Sequence, residues 1–167
     1  MFKKSQAALE FLTTYAWAFL VILIMIGALA YFGVLSPSGL LPERCNFGAE
    51  ISCNKDFMLV KKSNEGTIQM RLQNNAGSAI TVTAVAVTSD RAVGTCTAKI
   101  GNAPIPEAGT SWTSGNTITL TADCTTGDGL IENEKVKFNI EIDYFPSSAG
   151  SSYKKTVLGD LFATIQV

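Results

Sequence analysis

The chain has 167 residues, 47% hydrophobic and only 16% charged, against roughly 25% charge in an ordinary soluble domain. Its formal net charge of −1 argues against an electrostatic nucleic-acid binder, and no nucleic acid is expected as a partner. Histidine is absent, which excludes Ser-His-Asp and Cys-His catalysis, histidine-ligated zinc or haem, and histidine pH switching.

The apolarity is unevenly spread. Residues 11–42 carry no Asp, Glu, Lys or Arg, and all 27 charged side chains lie in 1–10 or 43–167. Phe11 to Leu35 is a 25-residue uncharged run. As a helix it spans roughly 37 Å, enough to cross a bilayer core of ~30 Å. Ser36-Pro37-Ser38-Gly39 is expected to end it, because a proline disfavours helix at the residue before it. Lys3 and Lys4 precede the run and Arg44 is the next cation, so the N-terminus is expected inside and the polar remainder outside. The run exceeds the roughly 7–15 apolar residues of a cleavable secretory signal. On apolarity alone it reads as a signal anchor.

Glu10 stands immediately before the run. One reading is an interfacial carboxylate near a helix N-terminus, where the dipole favours negative charge by about 0.3–1 kcal/mol. The other is a pairing group. A cut just before Gln6 would create an α-amino group four residues ahead of Glu10. The same ammonium on a neighbouring copy would neutralise that carboxylate inside an apolar helical core.

The segment Lys3-Lys4-Ser5-Gln6-Ala7-Ala8-Leu9-Glu10-Phe11-Leu12 resembles the class III signal peptide of archaeal type IV pilins. In that family a prepilin peptidase cuts on the cytoplasmic side after a short basic leader. The mature chain then begins at Gln, with Glu at its fifth position. The resemblance implies a scissile bond at Ser5–Gln6 and roles in assembly for Gln6 and Glu10. Methanogen-type pilins follow Gln-x-Ser-x-Glu-x-x-x-Leu. This chain keeps Gln6 and Glu10 and has Ala8 and Thr14 at the other two positions, with Ser5 where Gly is common. Loss of the leader would take the net charge to −3. The implied organisation is a leader over 1–5, a hydrophobic helix over 6–36, a linker over 37–44 and a head over 45–167.

From residue 43 the pattern becomes alternation. Phe57–Lys61 is a short candidate strand. Thr67–Gln73 places Ile68, Met70 and Leu72 on one face and Gln69, Arg71 and Gln73 on the other. A strand over Ile80–Thr88 follows the turn-rich Asn74–Ser78. Thr117–Ala122 alternates with Ile118 and Leu120 inward. Val136–Tyr144 is the clearest strand, with Val136, Phe138, Ile140 and Ile142 on one face. Lys154–Leu158 and Leu161–Val167 give one or two last strands around Gly159-Asp160. Six to eight short strands with turns between them predict an immunoglobulin-like β-sandwich. The fold class is therefore α+β: a long helix, then an all-β head. The resemblance implies the same layout. Trp112, in the loop from Gly101 to Asn116, is expected to cap one end of the core.

Cys45, Cys53, Cys96 and Cys124 all lie in the head, and four cysteines allow three pairings. Cys45–Cys53, closing a small loop, and Cys96–Cys124, pinning a loop-rich insertion, are the favoured disulfides in an oxidising setting. Zinc sites need short paired spacings, whereas 7, 42 and 27 residues intervene here. Asp123, Asp128, Glu132 and Glu134 crowd one region, but their spacing is not that of an EF-hand, and a solvated charged loop is expected. No Walker sequence, dinucleotide fingerprint, Gly-x-Ser-x-Gly motif or Asn-x-Ser/Thr sequon occurs. No metal, cofactor or enzymatic activity is expected.

The pilin resemblance implies a structural subunit stored in the membrane and polymerised through its helix into an extracellular adhesive filament. The partners it implies are further copies of the chain, the prepilin peptidase, a pilus assembly ATPase and a membrane platform protein. The alternative is an uncleaved, signal-anchored surface protein whose β-domain binds a ligand or partner.

Overall fold

The N-terminal segment has no proline before residue 37, and its apolar residues propagate a helix without interruption. In the computed structural model, which describes residues 3–31, 41–91, 93–126 and 129–166, α1 runs Lys3–Tyr31. The expected helix stop at Ser36-Pro37 lies outside the described residues, as does the first half of the expected linker. The stretch Leu9–Tyr31 is 23 residues long, about 34 Å of helix, and long and apolar enough to cross a membrane. Leu9, Phe11, Trp17, Phe19, Ile22 and Met25 stand exposed around it. A helix apolar on all sides belongs in lipid or among other helices.

The chain divides into two compact units, Met1–Leu41 and Pro42–Val167. The second contains β1 (Arg44–Asn46), β2 (Ile51–Lys62), β3 (Glu65–Asn74), β4 (Ile80–Ser89), β5 (Val93–Ile100), β6 (Ala103–Pro104), β7 (Thr110–Trp112), β8 (Thr117–Thr126), β9 (Lys135–Pro146) and β10 (Lys155–Gln166). They form one ten-stranded sheet in the order β6-β5-β8-β3-β2-β10-β9-β4-β7, with β1 added to β10. The sheet has two antiparallel halves. Their junction is a short parallel pairing of β10 with β2, Ile165 opposite Leu59 and Gln166 opposite Val60. The hydrogen bonding is thus continuous, and the sheet curls into a half-barrel whose halves share one core.

Alternation sets which residues meet in that core. Ile68, Met70 and Leu72 of β3 and Val136, Phe138, Ile140 and Ile142 of β9 are all buried, as their spacing predicts. In β4 the alternation changes phase. A bulge between Val82 and Ala84 inserts one residue against β9. Ile80 and Val82 point inward before it, and Val85 and Val87 pack against the core after it. Of the one or two strands expected around Gly159-Asp160 the structure has one, and both residues lie in the middle of β10. Phe47 lies over Gly159, and a Cβ there would run into its ring. The glycine marks a covered position in a continuous strand rather than a turn.

At one end of the core a polar knot replaces apolar packing. Asn74 is fully buried. Its side-chain amide donates to the carbonyls of Ser78 (3.0 Å) and Trp112 (2.9 Å), and its Oδ1 accepts from the Ala76 N–H (2.9 Å). The Trp112 ring is 2% exposed, and its indole N–H donates to the Asn116 carbonyl at 2.8 Å. Trp112 therefore caps the core as expected. Gly109 supports the approach of its loop: φ is 82°, and a Cβ there would stand 2.8 Å from the Val82 carbonyl oxygen.

Candidate functional site

Two regions carry chemistry that the core does not use: the helix around Glu10 and the entry to the head. In α1 the expected scissile pair Ser5–Gln6 falls within the helical backbone. Glu10 sits two turns inside the helix, not at its first turn, so the dipole explanation of this carboxylate fades, since that effect falls off within a turn. Its side chain is exposed, and among the described side chains no cation pairs with it. It is the single charged residue between Leu9 and Tyr31. Thr13 and Thr14 do not add polarity to the surface. Thr14 Oγ1 donates back to the Glu10 carbonyl at 2.7 Å, and Thr13 Oγ1 to the Leu9 carbonyl at 3.0 Å. Phe11 and Tyr15 pack one turn apart, ring centroids 4.5 Å distant and planes tilted by 47°.

The entry to the head is clamped onto its last strand. Cys45 of β1 lies opposite Leu161 of β10. Arg44 Nε lies 3.3 Å from Asp160 Oδ2, and Glu43 Oε1 accepts from the Thr164 N–H at 3.0 Å. Phe47 then covers Gly159. A disulfide joins Cys45 to Cys53 in β2, with Cα atoms 5.8 Å apart. The second disulfide, Cys96–Cys124, bridges neighbouring residues of β5 and β8. All four cysteines are oxidised, so no thiolate is available to bind metal. None of these clamping contacts except the disulfide was foreseeable from spacing. Arg44, expected in the linker, opens β1.

The acidic cluster singled out by sequence does not converge. Asp123 Oδ2 accepts from Lys99 Nζ at 2.8 Å and its Oδ1 from Thr67 Oγ1 at 3.0 Å. The Lys99 hydrogen bond, aided by Thr67 and the lysine's charge, lowers the Asp123 pKa from the ordinary aspartate value, against partial burial, which raises it. Glu134 pairs with Arg91. Asp128 lies outside the described residues. Among the described residues no group of three or more His, Cys, Asp or Glu side chains is placed to hold a metal ion.

A surface feature absent from the sequence reading lies on β2. Between Cys53 and Phe57, β2 advances four residues while β3 advances two. Beside this irregularity lies a groove of about 440 Å³ lined by Lys55, Asp56, Phe57, Met58, Gln69, Arg71 and Thr119. On the other half of the sheet, Leu158 stands 71% exposed in mid-strand, opposite Glu141.

No protein-family model matches the chain, and no curated protein matches it. Among solved structures the chain is similar to a yeast GGA1 GAE domain, with a TM-score of 0.38 and 14% identity, over 70% of this chain and 99% of that one. An N-terminal apolar helix long enough to span a membrane, followed by a β-sheet domain with two disulfides, fits a membrane anchor or signal ahead of an extracellular domain.

Proposed function

We propose that the chain is the structural subunit of an archaeal type IV pilus. In this reading the prepilin is held in the membrane by α1, cut between Ser5 and Gln6 by a prepilin peptidase, and polymerised by an assembly ATPase and a membrane platform protein. The product is an extracellular adhesive filament. The role is structural rather than catalytic, and the head is an immunoglobulin-like sandwich of the pilin type. Two antiparallel half-sheets around one core support that description of the head.

The observation that carries the reading is α1 itself: an unbroken helix whose stretch Leu9–Tyr31 is apolar on every side with Glu10 as its one charge, and whose first turn carries Lys3 and Lys4. An anchor alone needs no carboxylate at the start of its apolar run, where charge is mildly costly. In a filament core, neighbouring helices replace lipid tails, so close packing rather than fresh removal from water holds the assembly. Each Glu10 is then neutralised by the Gln6 ammonium of a neighbouring copy. That pairing favours axial registers that bring the two groups together, because an unpaired charge in the core is expensive.

Glu10→Ala and Glu10→Gln are the test. Both variants are expected to be inserted and cleaved normally, and to accumulate as membrane-bound subunit with filaments reduced at least tenfold by electron microscopy. Wild-type filament yield from either variant would remove Glu10 from the assembly mechanism.

A further inference from the structure

We infer that the head pairs with a second copy of itself through the open edge of β4, the two β4 strands lying antiparallel with Ala86 opposite Ala86. The inference does not rest on the polymer reading above. A contact between identical patches is two-fold and closes at two copies, so it belongs to the head whether or not the helix enters a filament.

One flank of β4 lacks a neighbour over half its length. β7 covers that flank only at Ile80, Thr81 and Val82, whereas β9 runs along the other flank as far as Ser89. Among the described residues, Ala84–Ser89 is therefore paired on one side only. The ladder shows which backbone groups are left over. The Asp90 N–H donates to the Lys137 carbonyl at 3.5 Å, so Asp90 and every second residue before it, Thr88, Ala86 and Ala84, turn their backbone groups toward β9. The other end of the strand agrees. There the Ser147 N–H donates to the Ala79 carbonyl at 2.9 Å, and counting through the bulge opposite Asp143 gives the same alternation. The N–H and C=O groups of Val85 and Val87 thus point out of the open edge. Their side chains pack against the core but are only half-buried, while Ile80 and Val82, flanked on both sides, are 1% exposed.

Sheet edges are normally guarded by charge, proline, irregularity or brevity. The far edge of this sheet is guarded: β6 is two residues long and contains Pro104, and a register shift between Val93 and Cys96 breaks the ladder of β5 beside it. The open stretch of β4 has no such guard. Residues 74–89 hold no charged side chain, and Ile80–Ser89 holds no proline or glycine. An edge of this kind accepts an extended, uncharged strand. In a second copy the strand that answers is β4 itself. β2, β3, β8, β9 and β10 are flanked on both sides, β1 and β7 are three residues each, and β5 and β6 are guarded. Identical uncharged strands also meet without opposing like charges. With Ala86 opposite Ala86, Val85 of each copy faces Val87 of the other, and every outward N–H and C=O of these valines finds a partner. Ala86 then occupies the non-hydrogen-bonded position, where the strands lie closest and a methyl group fits.

Full-length chain in detergent, carrying Ala86→Cys or Thr88→Cys and oxidised under air, tests the contact on non-reducing gels. Both positions are exposed on the same face of β4, and the native cysteines are already oxidised. Ala86→Cys is expected to form covalent dimer at least tenfold faster than Thr88→Cys. In the inferred register Thr88 lies opposite Ala84, so the two copies of position 88 are about 13 Å apart, beyond the reach of a disulfide. Equal rates, or no dimer from Ala86→Cys, overturn the paired edge. The second measurement is sedimentation of Ala86→Lys, which opposes two like charges at the centre of the contact. The dimer fraction is expected to fall at least tenfold with the unfolding midpoint of the head unchanged. A wild-type chain that sediments as a monomer throughout overturns the inference. So does a dimer indifferent to Ala86→Lys, which is one held through α1. Neither result bears on the pilin reading.

Discussion

In α1, Leu9, Phe11, Trp17, Phe19 and Met25 stand exposed, at 59–67% for these five, whereas Ile68, Met70, Leu72, Phe138 and Ile140 in the head are at 0–1%. Both regions are rich in the same side chains. The head closes its apolar surface on itself, because period-two alternation puts one face of each strand inward and one outward. The helix has no such division, so it has nothing of its own to close against and requires lipid or other helices. The contrast teaches where the stability of each part resides. The head's stability is intramolecular and fixed by its own sequence. The helix's stability is a property of its surroundings, which in the proposed filament would change from bilayer to bundle.

Perturbing the two regions should accordingly give separable outcomes. The largest effect on the head is expected from Trp112→Ala, which removes the largest buried side chain and its indole hydrogen bond. A loss of about 3–5 kcal/mol is expected from denaturant unfolding of the detergent-solubilised chain, followed by circular dichroism in the β region. The helical signal of α1 should be unchanged. Next come the disulfides. The loop-entropy relation assigns about 3.5 kcal/mol to Cys96–Cys124 and about 2.5 to Cys45–Cys53, because their sequence separations are 28 and 8. The paired Cys→Ser variants should therefore rank in that order of midpoint. The reverse order would place the weight of stabilisation on the clamp at the head's entry rather than on loop length.

Asn74→Ala is expected to cost about 1–3 kcal/mol, since it leaves the buried Trp112 carbonyl without its partner and removes the bonds to the half-buried Ser78 carbonyl and Ala76 N–H. The smallest effect concerns Asp123. Its pKa is lowered in the folded state, so the group contributes stability that is present above its unfolded value, near 4, and is lost as pH falls through the folded value. Unfolding midpoints of wild type and Asp123→Asn should converge at low pH and separate slightly above pH 5. The separation should shrink with salt, because both side chains of the Lys99–Asp123 pair are 38% exposed. An unchanged separation in high salt would contradict an electrostatic origin.

The parts legible in the sequence were those governed by local periodicity. The uncharged run at 11–35 could only be a buried or membrane helix, and the alternation at Ile68–Leu72 and Val136–Ile142 could only be half-buried strands. Trp112 was legible because a large aromatic in a loop usually has a core end to fill. Features set by non-local pairing were not. β5 (Val93–Ile100) reads as Gly-Thr-Cys-Thr with little apolar contrast, and it is a strand because β8 and the Cys96–Cys124 bridge hold it. The bulge in β4 reverses which residues face inward without any glycine or proline to announce it. β10 runs through Gly159-Asp160 because Phe47, more than a hundred residues earlier, covers the glycine, and Arg44 pairs with the aspartate. The exposure of Leu158 and the β2 groove were invisible for the same reason: both depend on which residues lie across the sheet.

The measurement that tests the central claim most directly is N-terminal peptide mass spectrometry on filaments sheared from cells. A mature chain beginning at Gln6 in the sheared fraction is the expected result, and it establishes processing and polymer membership together. A chain retaining Met1 to Ser5, found in the membrane fraction and absent from any filament, would contradict the pilin reading and leave a signal-anchored surface protein in its place.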